Sequence, residues 1–469
     1  MKKLLSILVC CSPICVICTA TTWHVGPAQT YTMPSQVSTL VQSGDTVAID
    51  SGLYSNDVAH WTANDLVLKG TGGMARLHSG GNVYGGKAIW VIGGSNTTVE
   101  YIDFAEAACV DLNGAGIRQE GTNLTVRHCL FHDNEDGILT NADASSTILI
   151  EYSEFNHNGH GDGYSHNLYI GHVNTLIFRY NYSHLTKVGH ELKSRAANNY
   201  ILYNRISNED TGTASRDIDL PNGGRAVLVG NLIEQGPNTQ NSNMMEYGLE
   251  GLTNPDSSIF IVNNTFVNDK GNGSFIQVEN GITLLKAYNN IFAGGGTVYT
   301  GTAISYDTSH NWTGAIAAAG MTDPTNYDYT LLATSPAVDS GTNPGMADTF
   351  ALTPVFEYVH PDSNMARPVV GVPDIGAYEY GTAPNFVSSI TTASKLNIYP
   401  NPANTVVTIE WPPIIKDDQL TITDIAGRVV TRQLMHKGAQ QAILLTQRWK
   451  AGIYFISLGG YRQSFAISR

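Results

Sequence analysis

Between Ile102 and Asn290 a short strand-like run ending in asparagine, or a small equivalent, returns every two dozen or so residues. Aligned, these runs put Ile102, Cys129, Ser153, Asn181, Asn204, Asn231, Asn264 and Asn290 in one column, at separations of 27, 24, 28, 23, 27, 33 and 26. Two residues later a second column reads Phe104, Phe131, Phe155, Ser183, Ile206, Ile233, Phe266 and Phe292. Residues two apart on a strand share a face, so aromatics stack beside an asparagine ladder on the same side. Stacked amides satisfy one another's hydrogen bonds, so asparagine inside the fold is no contradiction. A repeat of this length is one turn of a coiled parallel sheet. A hairpin sandwich would instead show Asn-Gly or Asp-Gly turns about every ten residues, and none recurs regularly.

Composition agrees with an all-β chain, since 47 Gly and 23 Tyr suit short strands separated by turns. Asp45 to Ile49 and Asp65 to Leu68 read as strands, and Pro34 to Gln42 as a short helix covering the open end of the first turn. The coil is expected over residues 21–380, ending at the stretches Ser335 to Gly341 and Asp374 to Tyr380. A polar linker with Pro384 follows over 381–396, then a compact all-β module over 397–469.

Lys2 and Lys3, the apolar run from Leu4 to Cys18, and Cys18-Thr19-Ala20 have the anatomy of a signal peptide over 1–20, too short for a transmembrane span. Four of the six cysteines (Cys10, Cys11, Cys15, Cys18) leave with it. Cys109 and Cys129 are expected as small apolar residues inside the coil, with no disulfide framework and no structural zinc site. A net charge of −14 argues against nucleic acid as a partner. It also repels an acidic polysaccharide at long range, so a polyanionic substrate would need local Lys, Arg or a bound cation.

Asn397-Ile398-Tyr399-Pro400-Asn401-Pro402-Ala403-Asn404, Ile422-Thr423-Asp424-Ile425-Ala426-Gly427-Arg428-Val429-Val430 and Ala451-Gly452-Ile453-Tyr454-Phe455-Ile456-Ser457-Leu458 resemble the C-terminal sorting domain of the type IX secretion system of Bacteroidetes. The resemblance implies the type IX secretion machinery as a partner, export across the outer membrane, removal of the module, and attachment to the cell surface or release. Residues 22–380, with their closing Asp374-Ile375-Gly376-Ala377-Tyr378-Glu379, resemble the right-handed parallel β-helix proteins of the pectate-lyase-like superfamily. That group holds lyases, hydrolases, esterases and non-enzymatic adhesins, so activity has to be argued from the site.

The richest stretch runs from His157 to Gly251. It holds His157, His160, His166, His172, His184 and His190, then Lys193 and Arg195. Taking Leu168, Leu192, Ile218, Met245 and Ile276 as inward makes Tyr169, Lys193, Asp219, Glu246 and Gln277 outward neighbours about 4.8 Å apart on successive turns. Asn167, Glu191, Asp217, Met244 and Phe275 are expected as a flanking outward row. Elimination from a polyuronate needs a cation on the C6 carboxylate, a base for the C5 proton and an acid for the leaving oxygen. By the β-helix resemblance, Lys193 would be the base, its proton affinity lowered by Arg195 and desolvation. Arg195, Arg216, Tyr169 or His190 would be the acid or the carboxylate clamp, and Asp217, Asp219 and Glu246 would hold calcium. His166, Asn167, Glu191 and Gln277 would contact the glycan.

Plainer readings stand beside these. Lys193 among acids makes a cross-strand ion pair, the histidines can be stacked turn residues, and Asn222-Gly223-Gly224 is a tight turn. Arg205 and Arg225 read as turn and surface charges. The expected function is a secreted or surface lyase, acting as a monomer on an acidic polysaccharide. One rival is a polygalacturonase-type hydrolase, with Gly159-His160-Gly161-Asp162 and paired Asp217 and Asp219. Those aspartates stand in the opposite order to that family's, and no Arg-Ile-Lys block follows. The other rival is a non-catalytic glycan-binding adhesin.

Overall fold

The computed structural model of the chain describes residues 20–368, 370–381, 396–399, 403–411, 418–424, 429–450, 452–458 and 461–467. The leader expected over 1–20 and the linker expected over 381–396 lie, but for their end residues, outside the described residues.

Each winding lays down three strands, as Thr97–Glu100, Ile102–Ala105 and Ala115–Gln119 do, followed by Leu124–Arg127, Leu130–His132 and Asp136–Thr140. Every strand pairs in parallel with its equivalent one winding away: Thr97 with Leu124, Asp103 with Leu130, Ile117 with Ile138. Three parallel faces result. The first two merge into a 21-stranded sheet because the opening strands Thr46–Ser55 and Val67–His78 run through both, and the third is 10-stranded.

The register is the one the two sequence columns require. Phe131 pairs with Phe104 and with Phe155, and the stacked rings lie 4.9 and 4.8 Å apart inside the coil. One corner back, each asparagine amide donates to the next: Asn181 to Asn204 at 3.2 Å, Asn204 to Asn231 at 3.0 Å, Asn231 to Asn264 at 2.8 Å, Asn264 to Asn290 at 3.1 Å. Each also caps a backbone N–H of the preceding turn and a carbonyl beyond it, as Asn204 does with Asn181 N and Phe178 O. Every polar atom in the dry column is thereby satisfied, which is the condition for burying it. The repeat extends past Phe292 by one more winding, Thr297–Thr300, Ala303–Ser309 and Trp312–Gly314, with Asn311 as a further rung at 2.8 Å from Asn290.

The residue before each rung turns the corner with positive φ: Tyr101, His128, Tyr152, Tyr180 and Tyr203, at 57°, 51°, 51°, 60° and 55°. A left-handed conformation costs a non-glycine residue about 1–2 kcal/mol. Here the rings emerge on the outside and stack on one another at 4.8 to 5.7 Å, which offsets it. Gly230 takes the same corner because an added Cβ would meet the Tyr203 ring at 2.5 Å.

At the N-terminal end the expected helix is only a 3-10 turn, Pro34–Gln36; Val37 and Val41 after it complete the core. At the other end, residues 321–380 fold back onto the coil. Asn263 donates to Asp374 O and Gly376 O, Phe356 packs edge-on against Tyr180 and Tyr203, and Arg367 and Glu379 form a buried pair at 3.0 Å. Cys129 is buried as expected, its thiol pushed up to about 12 by burial. Cys109 is not; it lies half-buried in the loop before Ala115, its thiol donating to Asn113. Neither is in a disulfide.

The second unit is antiparallel. Asn397–Tyr399, Val406–Glu410 and Gln441–Leu445 form a three-stranded sheet, and Asp418–Asp424, Val429–Met435, Gly452–Leu458 and Tyr461–Ile467 a four-stranded one. Alternation along Val406–Glu410 sends Val407 and Ile409 inward, where they join Trp411, Leu420, Ile422, Tyr454 and Phe465 in the core.

Candidate functional site

The third face carries the outward row that strand alternation places there: Tyr169 beside Lys193, Lys193 beside Asp219, Asp219 beside Glu246, Glu246 beside Gln277. Three residues earlier lie His190, Arg216 and Asn243, each opening its strand, and His166, just before the strand of Tyr169. The two rows interlock. Asp219 Oδ2 takes Lys193 Nζ at 2.7 Å and His190 Nε2 at 3.1 Å, and Arg216 Nη2 holds Glu246 Oε2 at 2.7 Å. Arg195 donates from Nε to the Tyr169 hydroxyl at 2.8 Å and from Nη1 to Asn222 Oδ1 at 2.6 Å. His166 stacks on His190 with centroids 4.8 Å apart, and its Nδ1 accepts from His190 N.

Two residues that strand alignment does not reach complete the group. Glu250, on the turn after Asn243–Tyr247, bridges Lys193 Nζ at 3.2 Å and Arg195 Nη2 at 2.7 Å. Asn222 belongs to the turn at Gly223 and Gly224, both with positive φ, and there it orients Arg195. Loops differ in length from winding to winding, so no periodic alignment finds them; the only signal for Glu250 was its closeness to Glu246 in the chain.

The flanking row is not outward. Asn167, Glu191, Asp217, Met244 and Phe275 are buried and face the interior, because the chain turns a corner as it enters the third face and alternation fails for that one step. Met244 and Phe275 join the apolar core. Asn167 and Glu191 belong to a second polar ladder, Asn134 to Asn158 at 2.9 Å, Asn158 to Asn167 at 2.9 Å and Asn167 to Glu191 at 2.6 Å. Asp217 pairs with Asn208. Inside the coil, burial pushes the Glu191 and Glu234 carboxyls up to about 7 and raises Asp217 well above the carboxylate range. Asn167 and Glu191 therefore do not contact a glycan on the outer face, and Asp217 neither ligates a cation there nor pairs with Asp219 as a hydrolase's second carboxylate.

The histidine-rich stretch also divides. Only His166 and His190 sit in this group; His184 lies on the second face between Glu154 at 3.1 Å and Glu209 at 3.3 Å, while His157, His160 and His172 are exposed. Arg205 is a buried cation over the rings of Tyr182 and Tyr327, not a surface charge. Arg225 reaches Asp348 and Ala347 O.

Electrostatics correct one expectation about Lys193. Burial alone would lower its proton affinity, but Asp219 and Glu250 outweigh it and the ammonium ends above its ordinary value. Burial opposes ionisation of Asp219, yet His190 and Lys193 more than reverse this and hold it well below the usual range. Glu246 is pushed up, by burial and then by Asp219. His190 is shifted down by burial, against the pull of Asp219, and His166 further down by burial and by His190. The face thus presents fixed cations at Lys193, Arg195 and Arg216 beside neutral imidazoles.

Calcium takes six to eight oxygens. With Asp217 inside, and Asp219 and Glu246 already paired to Lys193, His190 and Arg216, the expected ligand set does not fit it. Gln277 faces outward with Glu246, and its side-chain oxygen accepts from Asn243 at 2.6 Å.

Residues 51–214 match the family of right handed beta helix regions, and residues 397–466 match the secretion system C-terminal sorting domain. This chain is a right-handed parallel β-helix protein with a C-terminal sorting domain. No curated protein matches the β-helix protein. Among solved structures it is similar to the crystal structure of pectate lyase Pel9A, at 13% identity and a TM-score of 0.45, covering 77% of this chain and 97% of that one. The sorting domain marks the β-helix protein for export to the cell surface or beyond, and no helix among the described residues is long and apolar enough to cross a membrane.

Proposed function

We propose that the exported β-helix protein is a polysaccharide lyase that cleaves a uronate-containing glycan by β-elimination at the Lys193 face. The observation that carries this reading is the position of Glu250. One half-exposed carboxylate is held between an ammonium at 3.2 Å and a guanidinium at 2.7 Å, the grip a uronate C6 carboxylate would need. A cation pair set out for a carboxylate also answers the long-range repulsion of a chain with net charge −14.

In this mechanism the substrate carboxylate displaces Glu250. Lys193 and Arg195 neutralise it, which acidifies the C5 proton. Lys193 stays protonated, since Asp219 remains 2.7 Å away, so the base is assigned to His190, which burial keeps neutral: its Nε2–H donates to Asp219, and Nδ1, which has no partner, is the nitrogen that takes the C5 proton. The Tyr169 oxygen accepts from Arg195, leaving its own O–H free to protonate the departing glycosidic oxygen. The C5–H electron pair becomes the C4–C5 double bond as the C4–O bond breaks. No step passes through calcium.

The test is incubation of the purified full chain with a panel of polyuronates, following ultraviolet absorbance of the unsaturated uronate end. Absorbance growing with new reducing ends supports the lyase. Reducing ends without absorbance mean hydrolysis, and neither signal means binding alone; both outcomes reject the proposal.

A further inference from the structure

A second constellation lies on the second face, near the N-terminal end of the coil. His78 ends the strand Val67–His78, Asp103 lies on Ile102–Ala105 and His132 on Leu130–His132, three successive strands of one sheet. Register places His78 and His132 on either side of Ala105. A methyl group fills little of the space between them, so both imidazoles lean over it toward Asp103, two residues earlier on the same outward side. Their ring centroids come to 5.5 Å. His78 Nε2 is 3.3 Å from Asp103 Oδ2, His132 Nε2 is 3.1 Å from Asp103 Oδ1, and the three side chains offer ligand atoms that all lie within 4.8 Å of one another.

We propose that His78, Asp103 and His132 bind a zinc-class divalent transition metal ion. With zinc–nitrogen and zinc–oxygen bonds of about 2.0 Å, the edge of a tetrahedron is about 3.3 Å; each imidazole nitrogen stands at about that spacing from one oxygen of the Asp103 carboxylate, His78 from Oδ2 and His132 from Oδ1, so the carboxylate lies between the two rings as their shared partner. Two imidazoles select a borderline ion over calcium or magnesium, which take oxygen donors. Three protein ligands leave a fourth position for water, on the side where both histidine rings reach solvent.

The surroundings of His132 supply a second, independent reason. Its Nδ1 lies 2.9 Å from Asp133 Oδ2, the outer carboxylate partner that metal-bound imidazoles usually have. With the Nδ1 proton given to Asp133, a neutral His132 turns the Nε2 lone pair onto an Asp103 oxygen 3.1 Å away. Two lone pairs at that distance repel unless a cation lies between them. A metal ion held by the three side chains ties three windings together, so binding stabilises the folded chain.

The untagged full chain, stripped with chelator, is titrated with Co2+ and followed by visible absorption. One equivalent is expected to give the intense band of a tetrahedral site, bleached by one equivalent of Zn2+ and unchanged by excess Ca2+. His78→Ala, His132→Ala and Asp103→Asn should each weaken binding at least tenfold, while His157→Ala, on an exposed histidine, binds as the parent does. Asp103→Asn keeps the shape of the buried side chain, and His78 is half-exposed, so one of the two should fold even if the other fails; thermal transitions in chelator verify this. A missing band, displacement by Ca2+, or unchanged affinity in a folded His78→Ala or Asp103→Asn variant overturns the proposal. The metal titration reads none of the glycan chemistry, so its outcome is separate from that of the lyase assay.

Discussion

Lys193 Nζ lies 2.7 Å from Asp219 Oδ2 across one rung of the coil, and the same oxygen takes His190 Nε2 at 3.1 Å. A carboxylate so placed holds the lysine as a cation and accepts from the imidazole beside it. The pair explains how a basic side chain sits almost fully buried on a sheet face without losing its charge.

Replacing Lys193 with methionine keeps the stem and removes the charge. Turnover of a polyuronate is expected to fall at least a hundredfold, the size of effect seen when one charge-stabilising group leaves a transition state, about 3 kcal/mol. Asp219 would also lose its nearest cation, so a stability loss of about 3 kcal/mol accompanies the change. Lyase rates measured on protein shown to be folded decide the matter, and a variant with full activity rejects the role given to Lys193.

Glu250→Gln removes a competitor for the cation pair without removing the pair. The expected outcome is a lower KM for the polyuronate, by about threefold or more, with little change in kcat, since only ground-state competition is relieved. Steady-state kinetics over a range of substrate concentrations read this directly, and a raised KM would mean that Glu250 itself contacts the glycan.

The interior carboxyls make stability depend on pH. An unfolded glutamate releases its proton near 4.5, whereas Glu191 and Glu234 in the folded chain keep theirs to about 7. The folded state holds the extra protons between those values, so stability falls as pH rises through that window and the loss is complete above about 7. At about 1.4 kcal/mol per pH unit, each residue accounts for roughly 3 kcal/mol. Urea midpoints measured from pH 4 to 8 should show the decline, and Glu191→Gln, which keeps the acceptor for Thr186, should flatten it.

Asn204 accepts from the Asn181 backbone at 3.0 Å and donates to Phe178 O at 2.8 Å. Asn204→Leu strands both groups in a dry column, with an expected loss of about 2–4 kcal/mol. Asn198→Ala, on a more exposed side chain, should stay within about 0.5 kcal/mol. Chemical denaturation of the two variants tests whether the ladder or the apolar core carries the corner.

The outward row Tyr169, Lys193, Asp219, Glu246 and Gln277 was legible because it lies on strands that repeat. Asn167, Glu191 and Asp217, two residues before that row, face inward against the expected alternation, which presumes a straight strand where the chain bends. Glu250 and Asn222 were out of reach for a different reason, since loops obey no period.

What the sequence determined by itself was the winding and its register. A buried amide column is satisfied only by the amides and backbone groups of adjacent windings, and such a constraint leaves its mark at every repeat. What the tertiary structure alone decided was the charge of each group on the outer face. Lys193 holds its proton more tightly than a free lysine because of Asp219 at 2.7 Å and Glu250 at 3.2 Å, neighbours 26 and 57 residues further along the chain. Proton affinity answers to distance through space, and that distance exists only once the coil has closed.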